Sequence, residues 1–333
     1  MTMASDQQLF HLHTLLSQLF LLLSIPTYIF TRYIIVAPFG RHVPKQHHWW
    51  LGPKLSARWS WFLFECPNLL WSWYYYYSSS SSILYQHKSS MVVGSETTYI
   101  LSTNAVLMFL FTLHYIHRDI IYPLRMNPNA HKVPLVVTIA AGIITTWNGY
   151  LQCYYLAHIR QDSPLPLVLP TTTTPPTTTL SSSSVHTIQT WAGIGLFFVG
   201  MGINLHSDGV LRNLRKQSQS RGDISTTSTM MTKISSQHQQ QQDDHHQLQQ
   251  QQHAYYIPYS PMFTYISCPN FFGEILEWFG FALASHFSLP SVAFFIYTAS
   301  NLIPRGIAHH HWYQAKFDDY PKERRWAVVP LIV

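Results

Sequence analysis

Residues 270–300 read NFFGEILEWFGFALASHFSLPSVAFFIYTAS. Two acids, Glu274 and Glu277, stand in an otherwise apolar and aromatic run, and Ser288-Leu289-Pro290 interrupts it. About twenty apolar residues make one membrane span, and proline does not continue a helix interior without cost. We read the block as two short helices joined near Pro290, a single kinked helix being the other reading. Working outward, apolar stretches of spanning length lie near residues 10–30, 59–77, 99–116, 133–157 and 185–203. With the split block this makes about seven transmembrane helices, an all-α polytopic membrane protein.

The basic residues test that count. Arg32, Arg41, Lys45, Lys54 and Arg58 fill the first loop, and Lys88 is alone in the second. Arg118, Arg125 and Lys132 follow, then Arg160 alone, then Arg212, Arg215, Lys216, Arg221 and Lys233. The turn at Pro290 has none, and the tail carries Arg305, Lys316, Lys322, Arg324 and Arg325. Rich and poor loops alternate, as the positive-inside rule requires. The expected topology has the N-terminus lumenal and the C-terminus cytosolic; six spans would put the tail on the wrong side.

Only 10% of the 333 residues are charged and 47% are hydrophobic, where a soluble domain is about a quarter charged. Polar inserts hide this in the average. Residues 163–184 are rich in Pro, Thr and Ser, and residues 217–253 in Gln, His and Ser. Neither can bury enough apolar surface to fold, so two disordered loop inserts are expected. They divide the chain into N-terminal membrane helices (1–162, the substrate side), a lumenal loop (163–184) and a C-terminal region (185–333) interrupted by a cytosolic insert (217–253). Cys66, Cys153 and Cys268 are too widely spaced for a disulfide framework or metal set. No metal site is expected, even from His309-His310-His311, because no carboxylate stands at ligand spacing. Nothing points to nucleic acid, and the bilayer is the expected surrounding.

Ionisable groups at membrane depth are costly and mark functional sites by default. Asn204-Leu205-His206-Ser207-Asp208 closes the fifth span, with Arg212, Arg215 and Lys216 following. On a helix Asn204 and Asp208 share a face, beside cations suited to phosphate; flanking charge and an end cap would account for the same residues. Glu274 and Glu277 sit a turn apart, where two carboxylates can accept from amides or ribose hydroxyls, although a helix dipole also favours acids in a first turn. Arg305, His309 and Tyr313 are spaced by four on one face, whereas His310 and His311 fall elsewhere, toward headgroups or solvent. Glu65 lies in the aromatic run 59–65, and His114-Tyr115-Ile116-His117-Arg118 ends the third span with Tyr122 a turn on. A tyrosine beside a buried acid can donate to a carbonyl oxygen.

Together these residues resemble the steroid 5α-reductase family. The likeness runs through residues 37–42 (APFGRH), 61–67 (WFLFECP), 114–118 (HYIHR), 148–152 (NGYLQ), 202–208 (GINLHSD), 211–216 (LRNLRK), 267–274 (SCPNFFGE) and 317–322 (FDDYPK). Residues 267–270 (SCPN) and 297–305 (YTASNLIPR) are most similar to the plant branch. The resemblance implies a seven-helix endoplasmic reticulum enzyme that uses NADPH to reduce the Δ4 double bond of a 3-oxo steroid or sterol-derived enone, with hydride to C5 and a proton to C4. It gives Glu65 and Tyr115 the 3-oxo group, for which Glu65 must carry its proton. It gives Arg118, Tyr122, Asn204, Asp208, Arg215, Asn270, Glu274, Arg305, His309 and Tyr313 to NADPH. Phe64 stands where animal steroid-reducing members carry Gln, and Phe39 and Tyr256 depart from the family's usual Tyr and Arg. The alternatives are a 2-enoyl-CoA or polyprenol reductase of the same fold, and a non-enzymatic sterol-binding or transport protein.

Overall fold

The computed structural model describes residues 3–34, 51–78, 100–161, 164–166, 182–235, 255–321 and 325–333. Residues 37–42 lie outside them, as does most of the insert 163–184. Among the described residues the chain is mostly helical. In order come α1 (Met3–Ile29), β1 (Lys54–Leu55), α2 (Ala57–Ser78), β2 (Ile100–Ser102) and α3 (Thr103–Tyr115). Then follow α4 (Tyr122–Arg125), β3 (Val133–Pro134), α5 (Leu135–Tyr154), β4 (Pro164–Pro166), α6 (Ser182–Ser235), α7 (Pro269–Ala284) and α8 (Leu289–Lys316).

A helix lies over each apolar stretch, and among the described residues the helices over Asp6–Ile34 and Ser184–Lys216 are long and apolar enough to cross a membrane. Large apolar side chains stay exposed along α1 (Phe10, Leu15, Leu19, Leu22) and α2 (Trp59, Leu63, Leu70, Trp73). An apolar exterior of this extent needs covering, and α-helices meet their own backbone hydrogen bonds in lipid. The chain reads as a membrane protein. Pro26, Pro67 and Pro304 sit inside helices, a placement membrane helices tolerate.

Three helices end in a wider π turn: Phe30–Ile34 after α1, Ile116–Ile121 between α3 and α4, and Tyr155–Ile159 after α5. The all-helical expectation misses two short antiparallel ladders. One pairs Lys54 with Pro134, the other Ile100 with Pro166 and Ser102 with Pro164. The first residues of the Pro-rich insert are thus strand. Helix α6 also continues to Ser235, through the first half of the segment that composition assigned to disorder; no proline stands between residues 217 and 235 to stop it. Residues 236–253 lie outside the described residues.

The block 270–300 is two helices. Helix α7 stops at Ala284, His286 and Phe287 take φ of 58° and 53°, and α8 starts at Leu289. Left-handed residues after a helix let orphan carbonyls be met: the Phe287 amide donates to Ala282 O at 2.7 Å. Ser285, Ser288 and Ser291 bond one another across the turn, Ser285 to Ser291 at 2.7 Å.

The chain divides into two compact units, residues 1–201 with 274–305, and residues 202–273 with 306–333. In the first unit α2 packs along α5, and Trp278 sits at the centre of a ring cluster with Phe111, Phe197, Phe281 and Phe294. Helices α6 and α7 meet at glycines: a Cβ on Gly193 would come within 2.3 Å of Ala284 N, and one on Gly280 within 2.4 Å of Phe197 N. Small residues permit such close backbone approach. In the second unit the C-terminal segment lies beside residues 265–268, with Ser267 N donating to Trp326 O at 2.8 Å.

Candidate active site

In the first unit, Glu65 on α2 and Tyr115 at the end of α3 are both buried. Helix periodicity puts Glu65, Asn68 and Ser72 on one face of α2, and all three are buried. Tyr115 is within electrostatic reach of Glu65, Glu274 and Arg118, so four of the residues singled out from sequence come together. The Tyr115 hydroxyl is 3.2 Å from Asn148 Nδ2, and its ring packs on Phe111, His114 and Trp278.

Around them each acid of α7 meets a base. Glu277 Oε1 lies 2.7 Å from His114 Nδ1, with both side chains buried. Glu274 Oε2 lies 3.6 Å from Arg118 Nη2. The Arg118 guanidinium rests over Trp61 at 4.9 Å and Tyr122 at 5.0 Å, a cation–π arrangement that helps to hold it. Arg118 sits in the π turn that follows Tyr115; such turns recur at functional sites because they re-aim side chains. Arg305, half-buried on α8, belongs to the same unit.

Sequence reasoning named Glu277 without giving it a partner. A buried acid needs one, and the histidine beside Tyr115 was the signal. It also passed over Asp119, which is buried with Oδ1 lacking a hydrogen-bond partner among the described residues. Burial pushes its carboxyl up to about 6.

In the second unit, Asn204 and Asp208 are buried on one face of α6, and Asp208 Oδ1 accepts from Asn270 Nδ2 at 3.1 Å. Along the same helix Arg215 is exposed, and Arg212 Nη1 is buried with no hydrogen-bond partner among the described residues. His309 is half-buried with its ring 5.8 Å from Phe271. Tyr313 is buried and stacked on Tyr320, with ring centroids 5.4 Å apart.

His310 is half-buried and hydrogen-bonded, where the sequence expectation set it toward headgroups or solvent. Its Nδ1 lies 2.6 Å from Ser267 Oγ, which is 2.6 Å from the Tyr320 hydroxyl, and its Nε2 lies 2.7 Å from Gln314 Nε2. Burial, with the nearby His311 and Arg325 charges, holds the imidazole below the usual histidine range. A neutral ring that accepts from the Gln314 amide must donate from Nδ1 to Ser267. His311 is exposed, as expected. Arg325 lies over Tyr259 at 5.3 Å and Tyr320 at 5.1 Å. Among the described residues no group of His, Cys, Asp and Glu could hold a metal ion.

The family model described as 3-oxo-5-alpha-steroid 4-dehydrogenase matches residues 131–238 and 226–333. A steroid 5-alpha-reductase DET2 of Gossypium hirsutum is 32% identical over 99% of this chain and 100% of its own length. The 3-oxo-5-alpha-steroid 4-dehydrogenase 1 of Rattus norvegicus is 31% identical over 89% of this chain and 86% of its own. The 3-oxo-5-alpha-steroid 4-dehydrogenase 2 of Homo sapiens is 32% identical over 84% and 82%. With matches running almost end to end, from plant and animal relatives alike, the chain belongs to the 3-oxo-5-alpha-steroid 4-dehydrogenase family of oxidoreductases.

Proposed function

We propose that the chain reduces the Δ4 double bond of 3-oxo steroids to give 5α-steroids, with NADPH as reductant. The observation that carries this beyond family membership is the burial of Glu65 and Tyr115 together, in a centre where Glu274 and Glu277 meet bases. Conjugate reduction needs the carbonyl polarised so that the β-carbon becomes electrophilic. Glu65, carrying its proton, and Tyr115 donate to the 3-oxo oxygen, where negative charge grows as C5 is reduced. Donors held in place before the reaction stabilise that charge without reorganising. C4 then takes a proton from solvent water as the enolate collapses and the 3-oxo group is restored. When bound, NADPH supplies the hydride that C5 receives.

The residues suit such a cofactor. Arg212 Nη1 is buried without a partner, Arg215 is exposed beside it, and among the described residues neither meets an acid. That is the donor set for phosphates. The Asp208–Asn270 pair offers an acceptor and a donor for ribose or carboxamide. We assign Asn204, Asp208, Arg215, Asn270, His309 and Tyr313 of the second unit to the cofactor. Arg118, Tyr122, Glu274 and Arg305 of the first unit carry the same assignment. Around this chemistry we propose seven spans in the endoplasmic reticulum membrane, N-terminus lumenal, with an N-terminal substrate side and a C-terminal reductase region.

The test is a membrane assay with NADPH and a panel of Δ4-3-oxo steroids, read by mass spectrometry. The expected product has 5α stereochemistry and is two mass units heavier with unlabelled NADPH, and three with labelled NADPH, the deuterium lying at C5. Binding of NADPH without any steroid product would move the substrate to a 2-enoyl thioester or polyprenol. No NADPH binding by the folded chain would overturn the enzymatic reading.

A further inference from the structure

A carbonyl oxygen can only accept a hydrogen bond, and one such oxygen sets the direction of a chain of amides in the first unit. Gln152 Nε2 lies 2.8 Å from Pro290 O. That contact fixes which end of the Gln152 amide faces the turn, because the opposite orientation would set two acceptors against each other. The same Nε2 lies 3.2 Å from Asn148 Oδ1, so the Asn148 amide is fixed in turn. Its NH2 group then donates to Asn68 Oδ1 at 3.2 Å and to the Tyr115 hydroxyl oxygen at 3.2 Å. Asn148 and Gln152 are one turn apart on α5, so both face inward together; Asn68, Tyr115, Asn148 and Gln152 are all buried.

The direction has a consequence at each end. The Tyr115 oxygen accepts from Asn148, so its single proton is kept for another partner. Asn68 Oδ1 accepts from Asn148, while its Nδ2 is buried with no hydrogen-bond partner among the described residues. An unmet buried donor costs about 1–3 kcal/mol, which a ligand oxygen in reach would relieve. The network therefore closes on donors, a polarity that suits a ligand carbonyl and does not suit an ammonium or a hydroxyl acting as donor.

We propose that Gln152 and Asn148 are positioning residues that relay the direction of the Pro290 carbonyl to Tyr115, so that its phenol proton points to the substrate oxygen. This rests on the assignment of Tyr115 to the 3-oxo group. Neither amide touches the substrate; each acts through the phenol. Hydrogen-bonded side chains in one network couple when mutated, whereas independent sites add.

The experiment is a double-mutant cycle on the full chain in membranes, with progesterone as the probe at saturating NADPH. Turnover, the progesterone KM and the NADPH Kd are measured for Gln152→Met, Asn148→Leu and Tyr115→Phe, and for each amide variant combined with Tyr115→Phe. In the parent background each amide variant should lower turnover about tenfold and leave the NADPH Kd within about twofold. In the Tyr115→Phe background the same change should lower the residual turnover by less than about twofold. Equal losses in both backgrounds, or no loss for Gln152→Met, would overturn the relay. Parent-like turnover of Tyr115→Phe would overturn the assignment of Tyr115 itself, and the relay with it. Should Asn148→Leu fail to accumulate, Gln152→Met decides, since it nearly conserves volume at the end of the network away from Tyr115.

Discussion

The two units treat charge in opposite ways. In the first, Glu277 has His114, Glu274 has Arg118, and Arg118 is further held between Trp61 and Tyr122. In the second, Arg212 and Arg215 meet no acid among the described residues, and Arg325 lies over the rings of Tyr259 and Tyr320 and bonds the Tyr320 hydroxyl. Partnered charges inside a protein hold geometry, because removing one partner leaves the other buried alone. Cations left without acids carry a potential that an anionic ligand can neutralise. On the function proposed above, the first unit would position neutral donors at a carbonyl, and the cations of the second would meet the phosphates of the ligand.

The largest effect should come from breaking that pairing. His114→Leu leaves Glu277 buried beside an apolar side chain. Leaving one member of a buried hydrogen-bonded pair unmet costs about 1–3 kcal/mol, more where it is charged, so the variant should melt well below the parent in detergent. Glu277→Gln keeps a hydrogen-bonding side chain there and should lose much less. Equal losses would mean that the pair works through packing rather than charge.

Glu65→Gln is the next largest, and it is read in turnover. Removing one preorganised donor at a developing oxyanion costs about 3 kcal/mol, roughly a hundredfold in rate. The NADPH Kd should stay near the parent value. A variant that turns over normally at saturation but binds NADPH poorly would reverse the roles given to the two units.

Arg215→Ala sharpens the contrast from the other side. It should weaken NADPH about tenfold with turnover at saturation retained, the signature of a phosphate contact made equally in ground and transition states. The affinity of the parent should also fall more steeply with salt than that of the variant, because exposed charge is screened. A parallel salt dependence would remove Arg215 from the phosphate set.

How much of this could be read in advance follows the range of the interactions. The break near Pro290 was legible because Ser and Pro act locally, and the shared face of Asn204 and Asp208 because helical period is local too. The π turn at Ile116–Ile121, which carries Arg118 away from regular helical phase, has no residue signature. The His114–Glu277 pair joins residues 163 apart, and no local pattern connects them. His310 sits off the face of Arg305 and His309 by helix geometry. It turned inward because Ser267 and Tyr320 of a different segment meet it there. The extension of α6 to Ser235 shows the same limit from the other side, since composition speaks of burial and not of backbone conformation.

Asp119 is the first unit's exception, an acid whose buried Oδ1 finds no partner among the described residues, and it gives the smallest effect. It lies past the third apolar stretch, and burial raises its carboxyl from an ordinary 3.8 to about 6. Between those values the folded chain holds a proton that the unfolded chain has released. Stability contributed by this group therefore falls as pH rises from about 4 to 6, and the full penalty stays above that window. Asp119→Asn removes the charge and keeps the shape. The variant should melt a few degrees above the parent at pH 7.5 and level with it at pH 4. A gain of the same size at both pH values would trace to packing instead, and no gain at pH 7.5 would mean that the carboxylate is compensated, leaving the first unit without an exception.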